Sequence, residues 1–408
     1  MVYRLVLKGG KSTFKKVKIL WVSDTQPFDV FFNKMSLVNI CEQLAKMGHR
    51  VTLVATRSKS LPPNRNSQVR MISIPSRHTA IIPRVVYALA LILFLPFYLV
   101  LFKPDYIVTE PDTSIFGFLS VFPLSKLWGT KLILDIRSTP VETVGFRGFL
   151  QTFFFTISIL IAKKFFNGMT IITPLMKKEI CSKFNIDTKR VGVWTSGVST
   201  TIFNPEKYTS EVPNLKRKLG LTGKFVVLYH GVFSENRGLI ETIKAFSILK
   251  SVNSKVVLIL LGTGPIYSSM KELIRMKKIQ GNVIIHDSVK HFEVPKFIAM
   301  CDVGIVPLPD HPYWRFQSPL KLLEYLAMER LVILTDIPAH RFVIEEKKCG
   351  VYISSIAPIE IAKAIEYVYH NKEKMGKWGK IGRKIVKEEY TWNKLAKDLE
   401  KYLFSVSE

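Results

Sequence analysis

Acidic residues are scarce in this chain. Its 408 residues hold 32 Asp and Glu against 59 Lys and Arg, a formal charge of +27. The shortage is uneven: residues 1–200 carry 27 basic and 10 acidic side chains. Such a surface attracts polyanions, whether nucleic acid, anionic lipid or phosphorylated compounds. Cysteine is scarce too. Cys41, Cys181, Cys301 and Cys349 lie far apart in no metal or redox spacing, which excludes zinc modules and disulfide frameworks and reads as reduced core thiols of a cytosolic protein. No zinc spacing, RNP-type strand or basic zipper accompanies the charge, so nucleic acid is not the expected partner. Low-complexity tracts are missing, as is an apolar leader before the first strand, so no secretory signal is expected.

What is present is apolar material, 48% of the chain, and a length suited to two domains. Buried-strand runs alternate with helical spacing. VKILWVS (17–23), VTLVAT (51–56), 69–74, YIVTE (106–110), KLILDI (131–136) and MTIIT (169–173) predict strands of a first lobe. FVVLYHG (225–231), KVVLILLG (255–262), NVIIHD (282–287), DVGIVPL (302–308) and LVILTD (331–336) predict those of a second. This alternation implies α/β architecture: two Rossmann-like lobes with doubly wound parallel sheets. The periodicity breaks near 196–215, giving lobes 1–200 and 201–385, with a helix in 386–408 expected to pack back towards the first lobe. Ligands of such folds lie at strand C-termini.

Residues 85–102, VVYALALILFLPFYLVLF, are 18 without a charge, bracketed by Arg84 and Lys103. A helix of that length spans about 27 Å, short of a hydrocarbon core of about 30 Å, and contains Pro96. A transmembrane span, a buried helix and a helix in the membrane interface all fit. Strands on both sides continue one strand–helix alternation, as expected of a single sheet, which argues against a span. A second apolar stretch, 149–166, ends with Lys163 and Lys164. Two such helices on a basic half fit a peripheral or monotopic protein on the anionic cytoplasmic leaflet.

Three strand-to-helix turns in the second half carry anion chemistry. In 317-QSPLKLLEYLA-327, Ser318 is expected to cap a helix with Pro319 in its first turn. The amides of Leu320, Lys321 and Leu322 would then form an anion site. Lys321 and Glu324 share a face; a diphosphate suits the cation, and Glu324 is placed to accept from a ribose. In 229-YHGVFSENRGL-239, a strand ends at Gly231 and Arg237 offers a planar fork to a phosphate. In 262-GTGP-265, Gly262 and Gly264 permit close backbone approach to a ligand. Each alone also fits an ordinary capped helix or surface turn; three in one lobe point to a bound anion.

These residues resemble the retaining GT-B glycosyltransferases of family 4, the glycosyl transferases group 1. SPLKLLEYLA is similar to that family's donor signature, which implies Lys321 on the phosphates and Glu324 on the ribose. GVFSENRGL is similar to its phosphate-side turn and GTGP to its Gly-rich turn. SGVSTTIFNP is similar to its interlobe segment, here Gly197, Val198, Phe203 and Pro205. Phe316 stands where members carry a sugar-contacting Glu, Val232 where many carry Arg, and 24–34 lacks the family's first-loop glycines. Asp135 and Arg137 occupy the loop where many members hold a His, and with Glu110 are expected to line the acceptor side. The resemblance implies sugar transfer from a nucleotide-diphosphate sugar to an acceptor hydroxyl with retention, without an obligatory metal or cofactor. The apolar helices imply a lipid-linked or glycan acceptor. A soluble acceptor, or a nucleotide-binding scaffold impaired in catalysis, are the alternative readings.

Overall fold

In the computed structural model of the chain, the described residues are 16–24, 35–56, 68–74, 81–112, 114–140, 145–252, 255–345 and 347–407. The glycine-free loop 24–34 falls outside them from residue 25 onwards.

The first sheet has seven parallel strands: β1 (Lys18–Val22), β2 (Arg50–Thr56), β3 (Arg70–Ile74), β4 (Tyr106–Thr109), β5 (Lys131–Ile136), β6 (Gly168–Ile171) and β7 (Val191–Val193), ordered β3-β2-β1-β4-β5-β6-β7. The second has six: β8 (Phe225–His230), β9 (Val256–Leu261), β10 (Val283–His286), β11 (Val303–Val306), β12 (Leu331–Thr335) and β13 (Gly350–Ile353), ordered β10-β9-β8-β11-β12-β13. Every residue of β8, β9, β11 and β12 is buried. That is why these strands read as continuous Val/Ile/Leu runs: helices cover both faces of a parallel sheet. β7 and β13 were unforeseen in sequence: β7 has only three residues, and β13 buries only one of its four, so neither writes an apolar run.

The apolar segment at 85–102 lies within one helix, Ile81–Phe102. It leaves the edge strand β3 and delivers the chain to β4, which pairs with β1 in parallel. Both of its ends are therefore tied to one sheet. Tyr87, Leu91, Leu95 and Leu99 bury one face, while Leu93 is 79% and Phe97 65% exposed on the other. Helix Gly145–Phe165 connects β5 and β6, again parallel neighbours. Among the described residues, its stretch Gly148–Phe165 is long and apolar enough to cross a membrane by length and composition, and 28% of it is buried. Helices Ile81–Phe102, Ile115–Trp128 and Gly145–Phe165 share one core cluster with Leu20, Ile107 and Leu134. All three thus cover the same face of the first sheet.

The opposite face is covered by Met35–Lys46 and by the helix Trp392–Ser405, which starts where Thr391 Oγ1 accepts from Lys394 N. Its Leu395, Leu399 and Leu403 enter the cluster around Trp21, Ile40 and Trp194. Glu400 holds His49 Nε2 at 2.7 Å. Tyr402 lies on Gly192, where a Cβ would collide with its ring, accepts from Met169 N and donates to Arg190 O. The two chain crossings between the lobes touch: Val198 N donates to Tyr390 O at 2.9 Å, and Val198 bridges Thr391 in parallel.

Candidate active site

The order of the second sheet reverses between β8 and β11, which opens a crevice beyond the carboxyl end of β8, at His230 and Gly231. Lys321, in the first turn of helix Leu320–Ala327, enters it. Its Nζ lies 3.9 Å from the centre of the Tyr229 ring and is buried without a hydrogen-bond partner. Gly231 holds the space beside it: at φ 127° it carries no Cβ, and one there would lie 3.2 Å from that ammonium. Burial first, then the charge of Arg237, holds Lys321 well below the usual lysine range, and Glu324 only partly offsets them. Arg237 lies over the Trp314 ring at 4.9 Å and donates from Nε to Ser234 Oγ at 3.1 Å. Trp314 in turn donates to Asn236 O, bracing the turn. Two cations thus share a partly desolvated pocket with one carboxylate, a field that favours a multivalent anion.

That carboxylate is Glu324, one turn deeper and 7% exposed. Oε1 accepts from His291 Nε2 at 2.8 Å; a carboxylate only accepts, so Nε2 carries the hydrogen. His230 Nε2 lies 3.5 Å from Oε2 and has no hydrogen-bond partner. Burial would raise Glu324, but the His291 bond and charge, with His230 and Lys321, outweigh it and hold the acid below the usual range. Burial pushes His230 down to about 4, so at neutral pH it is an uncharged imidazole beside a carboxylate rather than an ion pair. His291 is shifted upward: its Glu324 partner overcomes desolvation.

Sequence spacing thus placed Arg237, Lys321 and Glu324 together, and missed His230 and His291. His291 stands 33 residues before Glu324 on another element, a distance at which periodicity carries no signal. Several expectations need correction. Ser318 does not cap the helix. Its Oγ accepts from Ser196 N at 3.2 Å and its carbonyl from Ser196 Oγ at 3.1 Å, tying the two lobes. Pro319 is the cap residue rather than a first-turn residue, and makes no side-chain cap bond. The Leu322 amide is not free: it donates to Pro319 O. Leu320 packs its side chain on the first-lobe cluster around Trp194. Gly262 and Gly264 also permit a close backbone crossing, since Cβ atoms there would collide with Gly231 O and with the backbone of Phe233. Phe316 packs against the first lobe's core, and its carbonyl accepts from Thr173 Oγ1 at 2.7 Å.

On the first lobe, Asp135 is 1% exposed, and its Oδ1 accepts from Thr170 Oγ1 at 2.6 Å and Trp194 Nε1 at 2.9 Å. It organises β5, β6 and the interlobe strand instead of lining an acceptor site. Burial raises it to about 6. Arg137 stacks on Trp194 at 3.4 Å and donates to Trp194 O at 2.6 Å. Glu110 gathers with Asp24 and Asp112 beyond the ends of β1 and β4, their nearest oxygens within 4.8 Å of one another.

Two Rossmann-like sheets, tied at 194–198 and 390–392 and carrying a buried ammonium and a half-buried guanidinium at the second sheet's reversal point, are the GT-B architecture of nucleotide-sugar transferases. The family described as Glycosyl transferases group 1 matches residues 211–385, and Glycosyltransferase Family 4 matches 35–202. The chain belongs to these glycosyltransferases. A glycosyltransferase of Methanocaldococcus jannaschii, MJ1607, is 23% identical over 56% of this chain and 57% of that protein. The chain thus spans little more than half the length of such curated relatives. At the level of fold, Anabaena Alr3699/HepE in complex with UDP superposes with a TM-score of 0.75 at 13% identity, covering 95% of this chain and 100% of that one. Starch synthase IV from Arabidopsis thaliana, bound to ADP and acarbose, gives 0.75 at 13%, covering 96% and 100%.

Proposed function

We propose that the protein transfers a sugar from a nucleotide-diphosphate sugar to an acceptor hydroxyl with retention of configuration, on a lipid-linked or glycan acceptor at the cytoplasmic membrane surface. The observation that carries the donor half is the buried, unpartnered ammonium of Lys321 beside Arg237. As the glycosidic bond to the diphosphate breaks, charge develops on the leaving group. Lys321 and Arg237 stabilise that charge as preorganised donors without reorganisation. Glu324 holds the ribose. Retention rests on the family resemblance, and transfer without a metal is part of the same proposal. Binding of UDP and ADP by proteins of the same fold is consistent with the donor class. Thermal stabilisation by a panel of nucleotide sugars tests this reading. Stabilisation lost in Lys321→Ala and Glu324→Ala is expected, and no stabilisation of the parent by any donor refutes it. Product anomers read by NMR test retention, and turnover unchanged by a chelator tests metal independence.

The membrane half is supported by three helices covering one face of the first sheet with Leu93, Phe97, Phe149 and Phe153 outward. Basic residues predominate in the same lobe. Interfacial helices of this kind bind by buried apolar area plus attraction to anionic lipid. Co-sedimentation with anionic vesicles, weakened by Leu93→Asp with Phe97→Asp and by salt, is expected; equal recovery in the supernatant with and without vesicles excludes it.

A further inference from the structure

Away from the donor crevice, the strand ends of the first lobe carry a second set of unsatisfied groups. Arg137 directly follows β5. Its guanidinium lies on the Trp194 ring at 3.4 Å and donates from Nη1 to Trp194 O at 2.6 Å, while Nη2 is buried without a hydrogen-bond partner among the described residues. Burial lowers it to about 10, partly offset by the charges of Asp135 and Glu110. Beyond β4, Asp112 Oδ1 accepts from Ser114 N at 2.7 Å, but Oδ2 is buried and unpartnered in the same way. Thr56 closes β2 and stands level with Asp24, two residues past the Val22–Val54 pair. It is 2% exposed, and its Oγ1 also lacks a partner among the described residues. Glu110 links the two ends, since its charge acts on both Arg137 and Asp112. A buried polar atom left unpaired is costly, and a ligand that satisfies it gains what the free protein forgoes.

These groups set one guanidinium among the carboxyls of Asp24, Glu110, Asp112 and Asp135. A phosphate would add negative charge beside them, whereas a neutral polyol offers both kinds of partner. One hydroxyl accepts from Arg137 Nη2, and another meets Asp112 Oδ2 as donor or acceptor, whichever protonation state that carboxyl holds. We propose that Arg137 and Asp112 bind hydroxyls of a neutral sugar at the reacting end of the acceptor, so that the acceptor is a glycoside and not a lipid phosphate. This rests on the transferase reading above and narrows its acceptor. The cluster also adjoins the apolar face. Tyr87, in the helix Ile81–Phe102, donates to Ser23 O at 2.7 Å, and Ser114 opens the helix Ile115–Trp128. Leu93, Phe97, Leu119 and Leu127 point outward from those two helices, which places the cluster where a saccharide on a membrane lipid would arrive.

The test gives the full-length protein each nucleotide sugar that stabilises it, with octyl glycosides of glucose, galactose, mannose, rhamnose and N-acetylglucosamine as acceptors and polyprenyl phosphate as the alternative. Transfer to at least one glycoside and none to polyprenyl phosphate is expected. Arg137→Met and Asp112→Ala should each raise KM for that glycoside about 10- to 100-fold, the loss of one hydrogen bond to a charged group, while calorimetric affinity for UDP and ADP stays within about twofold. Arg137→Lys, which still donates, retains part of the glycoside affinity. Asp112→Ala also relieves repulsion from Asp24 and Glu110, so the fold tolerates it even where Arg137→Met does not. Equal losses of glycoside and nucleotide affinity mark a merely structural pair and overturn the proposal. Transfer to polyprenyl phosphate, or donor binding with no glycoside used, overturns it while leaving the donor reading intact. A parent that neither binds nor turns over any nucleotide sugar removes both.

Discussion

Lys321 should be stabilising to lose and ruinous to function. Substituting Met keeps most of the length and the contact with Tyr229 while deleting a charge that is buried, without a hydrogen-bond partner and repelled by Arg237. The effective cost of burying an ion is several kcal/mol. A desolvated cation over an aromatic face returns about 2 kcal/mol, and Glu324 returns some of the rest. A net gain of about 1–3 kcal/mol remains for Lys321→Met in the ligand-free protein. For a lobe of this size that raises the melting temperature by about 2–10 °C. The same change removes at least one charge-assisted bond to the diphosphate, about 1.5–3 kcal/mol, so affinity falls about 10- to 100-fold. Calorimetric melting of the ligand-free variant and titration with UDP and ADP read the two effects separately. A ligand-free variant that melts below the parent, or diphosphate affinity within about twofold of it, refutes the reasoning. Stability and function trade against each other at one side chain because the site is built to be incomplete alone.

Three further outcomes are expected. Burial holds His230 and His340 near pKa 4 against an ordinary 6.5, so below pH 6.5 the unfolded chain takes up protons that the folded one refuses. Stability should hold above pH 6.5 and fall by about 3 kcal/mol per histidine as pH drops towards 4; denaturant titrations at stepped pH read this, and His340→Gln should flatten about half of the slope. Gly264→Ala drives a methyl into the Phe233 backbone and should cost about 3 kcal/mol or more in urea unfolding. Tyr402→Phe strands the Met169 amide and the Arg190 carbonyl and should cost about 1–3 kcal/mol while leaving nucleotide affinity unchanged.

The fold was legible in sequence because parallel strands buried on both faces write themselves as unbroken runs: all eleven expected strands form. The site was half legible. Lys321 and Glu324 share one helix, and Arg237 sits at the end of a strand–turn motif, so local spacing reveals them. His291 and His230 were hidden because their role is defined only by where Glu324 ends up in space. Ser318 misled for a related reason. Before Pro319 it fits a cap, but its hydrogen bonds cross to Ser196, 122 residues away, and no local rule sees a partner that distant. Gly262 and Gly264 were recognised as close-approach glycines, and the chain's own backbone approaches there.

The helix Trp392–Ser405 belongs by its contacts to the lobe that is synthesised first. During translation, residues 16–200 must therefore wait, with Trp21, Ile40 and Trp194 uncovered on one face, until the whole second lobe has been made. The order of synthesis and the order of completion are inverted, and the lobe begun first is closed last. A nascent chain stalled anywhere between 200 and 390 lacks the helix that covers that apolar face.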